Sequence, residues 1–300
     1  MTWQEPFSTE LARLQSRELP EGGFPSRPDS ILFRPDCTAW ATLALSAAGV
    51  PSKSLRPSRW RLAEEQGEDG RVSLSRDHPE AFWPTSLAIL AWQGAVGYRE
   101  PRSRALHFLL QTTGIQFKNS STSPLGHDES IPGWPWIGGT HSWVEPTAMA
   151  LLALAVTGYG GHSRAEEATR LLLDRQLPTG GWNYGNTLVF GNELLPLPEV
   201  TGVVLSALAG RVAPDRVEAS LKYLRSALEE MRSPLTLGWG LLGLNAWKRR
   251  PREALDWIRQ SQGQQDKYGP YDTTSISLLL LAGLGKEGLL SLIEPSRLSK

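Results

Sequence analysis

One short pattern recurs six times along the chain: an acidic residue or a proline, a threonine, a run of small and aliphatic residues, and a glycine near the end. The copies read DCTAWATLALSAAG from Asp36, WPTSLAILAWQGAVG from Trp83, EPTAMALLALAVTG from Glu145, EVTGVVLSALAG from Glu199, PLTLGWGLLGLNAW from Pro234 and DTTSISLLLLAG from Asp272. Aligned on Thr38, Thr85, Thr147, Thr201, Thr236 and Thr274, the intervals are 47, 62, 54, 35 and 38 residues. These match two-helix repeats with room for loops, and such repeats bury their apolar stretches only against one another.

Charged, amphipathic stretches alternate with the apolar ones. Outer helices are expected over Phe7 to Leu19, Arg59 to Gln66, Arg102 to Thr112, Arg164 to Leu177, Pro214 to Met231 and Pro251 to Gln262. In Pro214 to Met231, Val217, Leu221, Leu224 and Leu228 recur at three- and four-residue steps, while Arg216, Glu218, Lys222, Arg225 and Glu229 fill the other face. The threonine-led stretches lack a polar face and read as an inner layer. Six inner and six outer helices make either an open solenoid or a closed α/α barrel. A solenoid protects its ends with polar repeats, whereas here the first and last inner stretches are as apolar as the middle ones. The expectation is therefore an all-α fold, an α/α toroid of about six helix hairpins forming one domain over residues 1–300.

Bulk properties narrow the function classes. Net charge is zero, so no overall field favours nucleic acid. The single cysteine, Cys37, excludes an internal disulfide and a thiolate zinc cage, and suits a reducing compartment. The amino terminus, MTWQEPFSTELARL, has no basic segment followed by an apolar core, and the longest apolar run, Ala148 to Val156, is about half a bilayer span. A cytoplasmic protein with no transmembrane segment is expected. The loop Leu188 to Pro198 is apolar for a connection: a ligand gate, a peripheral membrane-touching lip, or packing across the barrel end.

The chain holds 12 tryptophans, several at helix junctions. Trp134, Trp136 and Trp143 precede the third inner stretch, Trp182 and Tyr184 the fourth, and Tyr268 and Tyr271 the last. Outer helices tend to finish on glutamine, glycine and an aromatic: Gln15 with Gly22, Gly23 and Phe24; Gln176 with Gly180, Gly181 and Trp182; Gln262 with Gly269 and Tyr271; and, more loosely, Gln111 with Gly133 and Trp134. The glycines permit a left-handed turn, the amide can bond exposed backbone, and the indole covers the junction.

Gln176-Leu-Pro-Thr-Gly-Gly-Trp182 resembles the glutamine-tryptophan repeat of squalene and oxidosqualene cyclases. The helix-pair period resembles the toroid shared by terpenoid cyclases and protein prenyltransferase β subunits. Asp36-Cys37-Thr38-Ala39 is similar to the Asp-Cys-Thr-Ala-Glu motif of oxidosqualene cyclases and to the Asp-x-Asp-Asp-Thr-Ala motif of bacterial squalene cyclases. Arg34 stands where the bacterial motif has its first aspartate, and Trp40 where the other has glutamate. By this resemblance Asp36 would be a general acid protonating an alkene or epoxide, Cys37 its hydrogen-bonding support, and a hydrophobic isoprenoid the ligand. A full cyclase of that kind has two α-domains, so a second α-domain chain or a homo-oligomer is a conceivable partner. Prenyltransferase zinc ligands are spaced Asp-x-Cys, whereas Asp36 and Cys37 are adjacent, so neither a metal nor another cofactor is expected.

Protonation-initiated cyclisation needs a protonated carboxyl aimed into a dry pocket, and aromatic faces that hold positive charge without offering a nucleophile. Trp40, Trp83, Trp134 and Trp143 are the candidate cavity aromatics. Glu145, Glu199 and Asp272 occupy the same repeat position as Asp36, two before the threonine. Beside the acid role for Asp36, two readings stay open for all four: helix capping, or an acidic ring binding substrate or a cationic partner at one barrel mouth. His141, four residues before Glu145, is either a proton-transfer partner or a loop hydrogen bonder. The alternative to an enzyme is a non-catalytic binding module for an isoprenoid, peptide or partner protein.

Overall fold

A computed structural model describes residues 7–118 and 124–293; the first six residues of the amino-terminal segment, in which no leader pattern is read, lie outside that range. The inner helices are α2 (Pro35–Ala47), α4 (Pro84–Trp92), α6 (Val144–Val156), α8 (Pro198–Leu208), α10 (Pro234–Ala246) and α13 (Thr273–Leu284). The outer ones are α1 (Ser8–Gln15), α3 (Arg56–Glu64), α5 (Arg99–Gln111), α7 (Ser163–Asp174), α9 (Glu218–Glu230) and α11 (Ala254–Gly263). Two short helices, α12 (Gln265–Tyr268) and α14 (Leu289–Ile293), complete the set. Outer helices lie where the charge pattern puts them, with ends moved by up to four residues; the expected start at Pro214 is a 3-10 turn, Pro214–Val217, before α9.

The inner helices close a ring. Each packs on its neighbours in the order α2, α4, α6, α8, α10, α13, and α13 packs back on α2. Outer helix α1 completes the seam by packing on both α13 and α2. The physical cause is the absence of a polar face: α6, for example, is buried at almost every position from Val144 to Val156. Each fully buried Leu or Val is worth about 1.5–3 kcal/mol relative to exposure, so an unclosed ring would forfeit much of its core. Prolines at the first turn of α2, α4, α8 and α10 start the helices with φ already set.

The repeating threonine is a latch. Thr38, Thr85, Thr147 and Thr201 have no exposed surface, and each Oγ1 accepts from the backbone N–H of an upstream loop residue: Phe24 (2.8 Å), Val72 (2.9 Å), Trp134 (3.0 Å) and Trp182 (3.0 Å). The other two threonines depart from this. Thr236 donates to Glu199, Thr274 approaches Cys37, and the neighbouring Thr273 bonds Pro25 of the first loop, across the seam.

The glutamine motif also has a sharper register than its spacing predicts. Gln176 Nε2 donates to the Arg216 carbonyl and to Ser220 of the next outer helix, while Trp182 Nε1 bonds the Leu172 carbonyl. In the first repeat Glu18, not Gln15, takes this place, accepting from Ser58 in ELPEGGF, and in the second Gln66 reaches Pro101. In the last repeat Gln265 rather than Gln262 bonds the backbone of Tyr271. Gly22, Gly70 and Gly180 all have positive φ and lie against backbone of the next outer helix, where a Cβ would fall within 2.8 Å of it. Only glycine satisfies both demands.

Candidate functional site at the mouth of the ring

Because outer and inner helices alternate in direction, every inner helix starts at one end of the ring. Long connections, residues 16–34, 65–83, 112–143 and 175–197, gather there; residues 119–123, inside the looser Gln111 to Trp134 motif, are outside the described set. This end is the mouth. Two residues before the latch stand Asp36, Trp83, Glu145 and Glu199, and one helical turn further on stand Trp40, Leu87, Met149 and Val203, the latter four all buried. Trp40 meets Trp239 of α10 edge to face, ring centroids 5.3 Å apart at 81°. Helices α2 and α10 are not ring neighbours, so this pair spans α13 and helps close the lumen beneath the mouth. Trp40 is thus part of the floor rather than of the rim.

The four acidic positions separate into three environments. Asp36 is buried and both its oxygens are held by Arg34, through Nε and Nη2 at 2.9 Å each. It therefore neither caps α2 nor stands free for a ligand, and the arginine that replaces the bacterial motif's first aspartate is the reason. Cys37 does not bond Asp36. Its Sγ lies 3.6 Å from Thr274 Oγ1, and burial, with the Asp36 charge second, pushes its thiol up to about 12. Asp272 is exposed and caps α13, accepting from Ser275 N at 2.7 Å.

Glu145 and Glu199 are the pair the fold brings together, on adjacent inner helices α6 and α8. Glu145 is densely surrounded by protein while its carboxyl still borders the opening, and among the described residues it has no hydrogen-bond or ion-pair partner. Desolvation, and secondarily the charge of Glu199, pushes its pKa up from 4.5 to about 7. Glu199 accepts from Thr236 Oγ1 at 3.1 Å. Tyr184, half exposed above them, is raised by burial and by both carboxylates; Tyr223 of α9, bonded to the Pro196 carbonyl, is raised to about 12 by burial and by Glu199.

The aromatics divide likewise. Trp83 meets Trp136 edge to face at 5.5 Å, and Trp143 lies against His141 at 4.3 Å, all at the mouth. Trp134 is instead a buried plug: its indole donates to the Leu109 carbonyl and carries the Arg164 guanidinium on its face at 4.0 Å. Thr236 and Trp239 are site residues that pattern reading passes over. The one signal for Thr236 is that its copy alone has proline, with no acid or aromatic, two positions earlier.

The rim is apolar. Ile31, Leu32, Ile137 and Leu235 are exposed around the mouth, and the Leu188 to Pro198 loop folds as a hairpin, β1 (Leu188–Val189) with β2 (Asn192–Glu193). At its tip Phe190, 79% exposed, adopts φ of +50°, and Leu195 is 82% exposed. A bulky residue held left-handed and pointed at water costs energy that packing does not return. Among the described residues no three His, Cys, Asp or Glu side chains gather as a metal site would require, and no helix is long and apolar enough to cross a membrane.

Comparison of the whole chain places this arrangement among solved structures. Type II terpene cyclase MstE from Scytonema superimposes with a TM-score of 0.62 at 14% identity, covering 95% of this chain and 97% of that one. This chain has the terpenoid-cyclase-like α/α toroid fold. The toroid is equally similar to an α-1,6-mannanase of Salegentibacter, with a TM-score of 0.65, 12% identity and coverage of 95% and 99%. A protein from Actinoplanes matches at 0.54 with 19% identity over 88% of this chain and 80% of its own. No protein-family pattern and no curated protein matches the sequence. At these identities the likeness is one of fold.

Proposed function

We propose that this protein, as a single toroid domain, performs acid catalysis at its mouth, protonating an alkene of a hydrophobic isoprenoid so that it isomerises or cyclises. The observation that carries this reading is Glu145: a carboxyl without a partner, pushed up to about 7, at a mouth that also carries the Trp83–Trp136 pair and Trp143. Such a group is part protonated at neutral pH and can give its proton to carbon. The carbocation then finds Trp83, Trp136, Trp143 and Tyr184, whose π faces attract positive charge without adding to it. Glu145 thereby takes the role first expected of Asp36, whose carboxylate Arg34 already occupies. The apolar rim suits delivery of such a substrate from a membrane surface. MstE, of the same fold, has been solved with geranylgeranyl dihydroxybenzoate, which makes geranylgeranyl compounds the first substrates to try.

A second reading is a non-catalytic module that holds an organic cation between Glu145 and Glu199. It is favoured by the pair having no basic partner among the described residues. Purified protein incubated with geranylgeranyl arenes and linear isoprenoid alkenes, with products followed by mass spectrometry, separates the two. Turnover lost in Glu145→Gln by about 10²–10⁴-fold and kept in Asp36→Asn is the expected outcome. The reverse result returns the acid role to Asp36, and tight binding of an alkylammonium without turnover selects the module.

A further inference from the structure

We infer that Glu199, fixed in place by Thr236, is the base that completes the reaction. This rests on Glu145 being the acid. Four of the repeating threonines bond the upstream loop, but Thr236 gives its hydroxyl to the Glu199 carboxylate at 3.1 Å. In this repeat the threonine makes no such latch, and what it holds is the carboxylate whose charge reaches the unpartnered Glu145. The two carboxyls stand in unlike surroundings. Glu145 has only the opening and the Glu199 charge, whereas Glu199 has a hydroxyl donor. Paired carboxyls in environments this different divide into an acid and a base.

The proton balance follows. Glu145 transfers its proton to one alkene carbon, using the π electrons to form the new C–H bond and leaving a carbocation. The Glu199 carboxylate removes a proton from a carbon adjacent to the positive centre, and the electrons of that C–H bond become the new double bond. Glu199, now protonated, returns the proton to Glu145 directly or through solvent. Nothing is oxidised or consumed, so the product is an isomer of the substrate. Thr236 is a positioning residue: it touches no reacting atom and acts by keeping Glu199 turned toward the mouth. The other titratable groups coupled to the pair are Tyr184, which responds to both carboxylates, and Tyr223, which responds to Glu199.

The test uses the full chain labelled with carboxyl-13C glutamate, the Glu145 signal being assigned by its loss in Glu145→Gln. In the wild type Glu145 is expected to titrate near neutrality. Thr236→Val, which keeps the shape and removes the hydroxyl, should release Glu199 toward solvent and lower that midpoint, as should Glu199→Gln. Thr236→Ser should leave it in place, a distinction that a packing role for the threonine would not make. With an accepted isoprenoid, Thr236→Val should lose roughly 10–100-fold in turnover, the worth of a hydrogen bond to a charged group, while Thr236→Ser retains most of it. Glu199→Gln should divert product toward the water adduct, heavier than the substrate by one water. An unchanged Glu145 titration in Thr236→Val, or an unaltered product in Glu199→Gln, overturns this inference and leaves Glu145 as the acid. Absence of turnover with every isoprenoid overturns both.

Discussion

The two ends of the ring are made from the same six inner helices and have opposite characters. At the base, where those helices finish, side chains satisfy the carbonyls that a helix end leaves open. Arg59 donates to Ala91 of α4, Gln93 to Val156 of α6, Trp247 to Leu205 of α8, and Arg250 and Asn245 to Ala282 and Gly285 at the end of α13. Cations there also complement the negative end of each helix dipole. Helix α14 lies across this end against α2, α6 and α13, leaving beside it a cavity of about 350 Å³ lined by Ala155, Ser206, Ala209 and Leu290. At the mouth, loops are long, acids sit in first turns, and most of the large exposed apolar side chains stand around the opening; Val96, Tyr159 and Leu255 at the base and Trp60 on outer helix α3 are exceptions. One end is finished for stability. The other carries Glu145, a carboxyl in a desolvating setting with no hydrogen-bond or ion-pair partner among the described residues.

That contrast can be broken at the base first. Leu289→Ala, removing a fully buried side chain from α14, is expected to cost about 2–5 kcal/mol in chemical denaturation. Chemistry at the mouth should survive wherever the variant stays folded. A loss of product selectivity at unchanged fold would mean that the two ends are coupled.

The next effect sharpens the mouth. Glu145 binds its proton more tightly folded than unfolded, so the stability it confers is full below about 4.5 and is lost as pH rises through about 7. The loss amounts to roughly 3 kcal/mol. Thermal unfolding of the wild type should therefore weaken between pH 5 and 8, and Glu145→Gln should flatten that slope. Parallel wild-type and variant curves would show that the carboxyl is well hydrated and unsuited to act as an acid.

The smallest effect is at the rim. Replacing Phe190 and Leu195 together by serine should change stability by no more than about 0.5 kcal/mol, as for exposed sites elsewhere. The same change should weaken recovery of the protein on phosphatidylcholine vesicles in a flotation assay. Equal flotation of both proteins would remove the rim from the account.

Reading the residues in order recovers the ring but not the site. The threonine period, the apolar inner stretches and the polar faces of the outer helices are local patterns, and burial acts on each stretch whatever its neighbours are; α/α closure followed from them. The Asp36 motif shows where this ends. Its similarity to a cyclase acid is a fact of sequence, yet Arg34, two residues away, turns the carboxylate into half of an ion pair. Glu145, Glu199 and Asp272 share one repeat position, and nothing in the chain separates an unpartnered carboxyl, a threonine-held one and a helix cap.

What the sequence determined by itself was the number of helix hairpins, the layer each helix occupies and the need for the ring to close, because these depend on periodicity and hydrophobic burial. Only the tertiary structure decided that packing of α6 on α8 brings Glu145 within reach of the Glu199 charge, that Thr236 holds Glu199 rather than a loop, and that Trp40 met Trp239 to help floor the mouth. Those are contacts between residues about 40 to 200 positions apart. Electrostatics and hydrogen bonding depend on such distances, which a linear pattern does not contain.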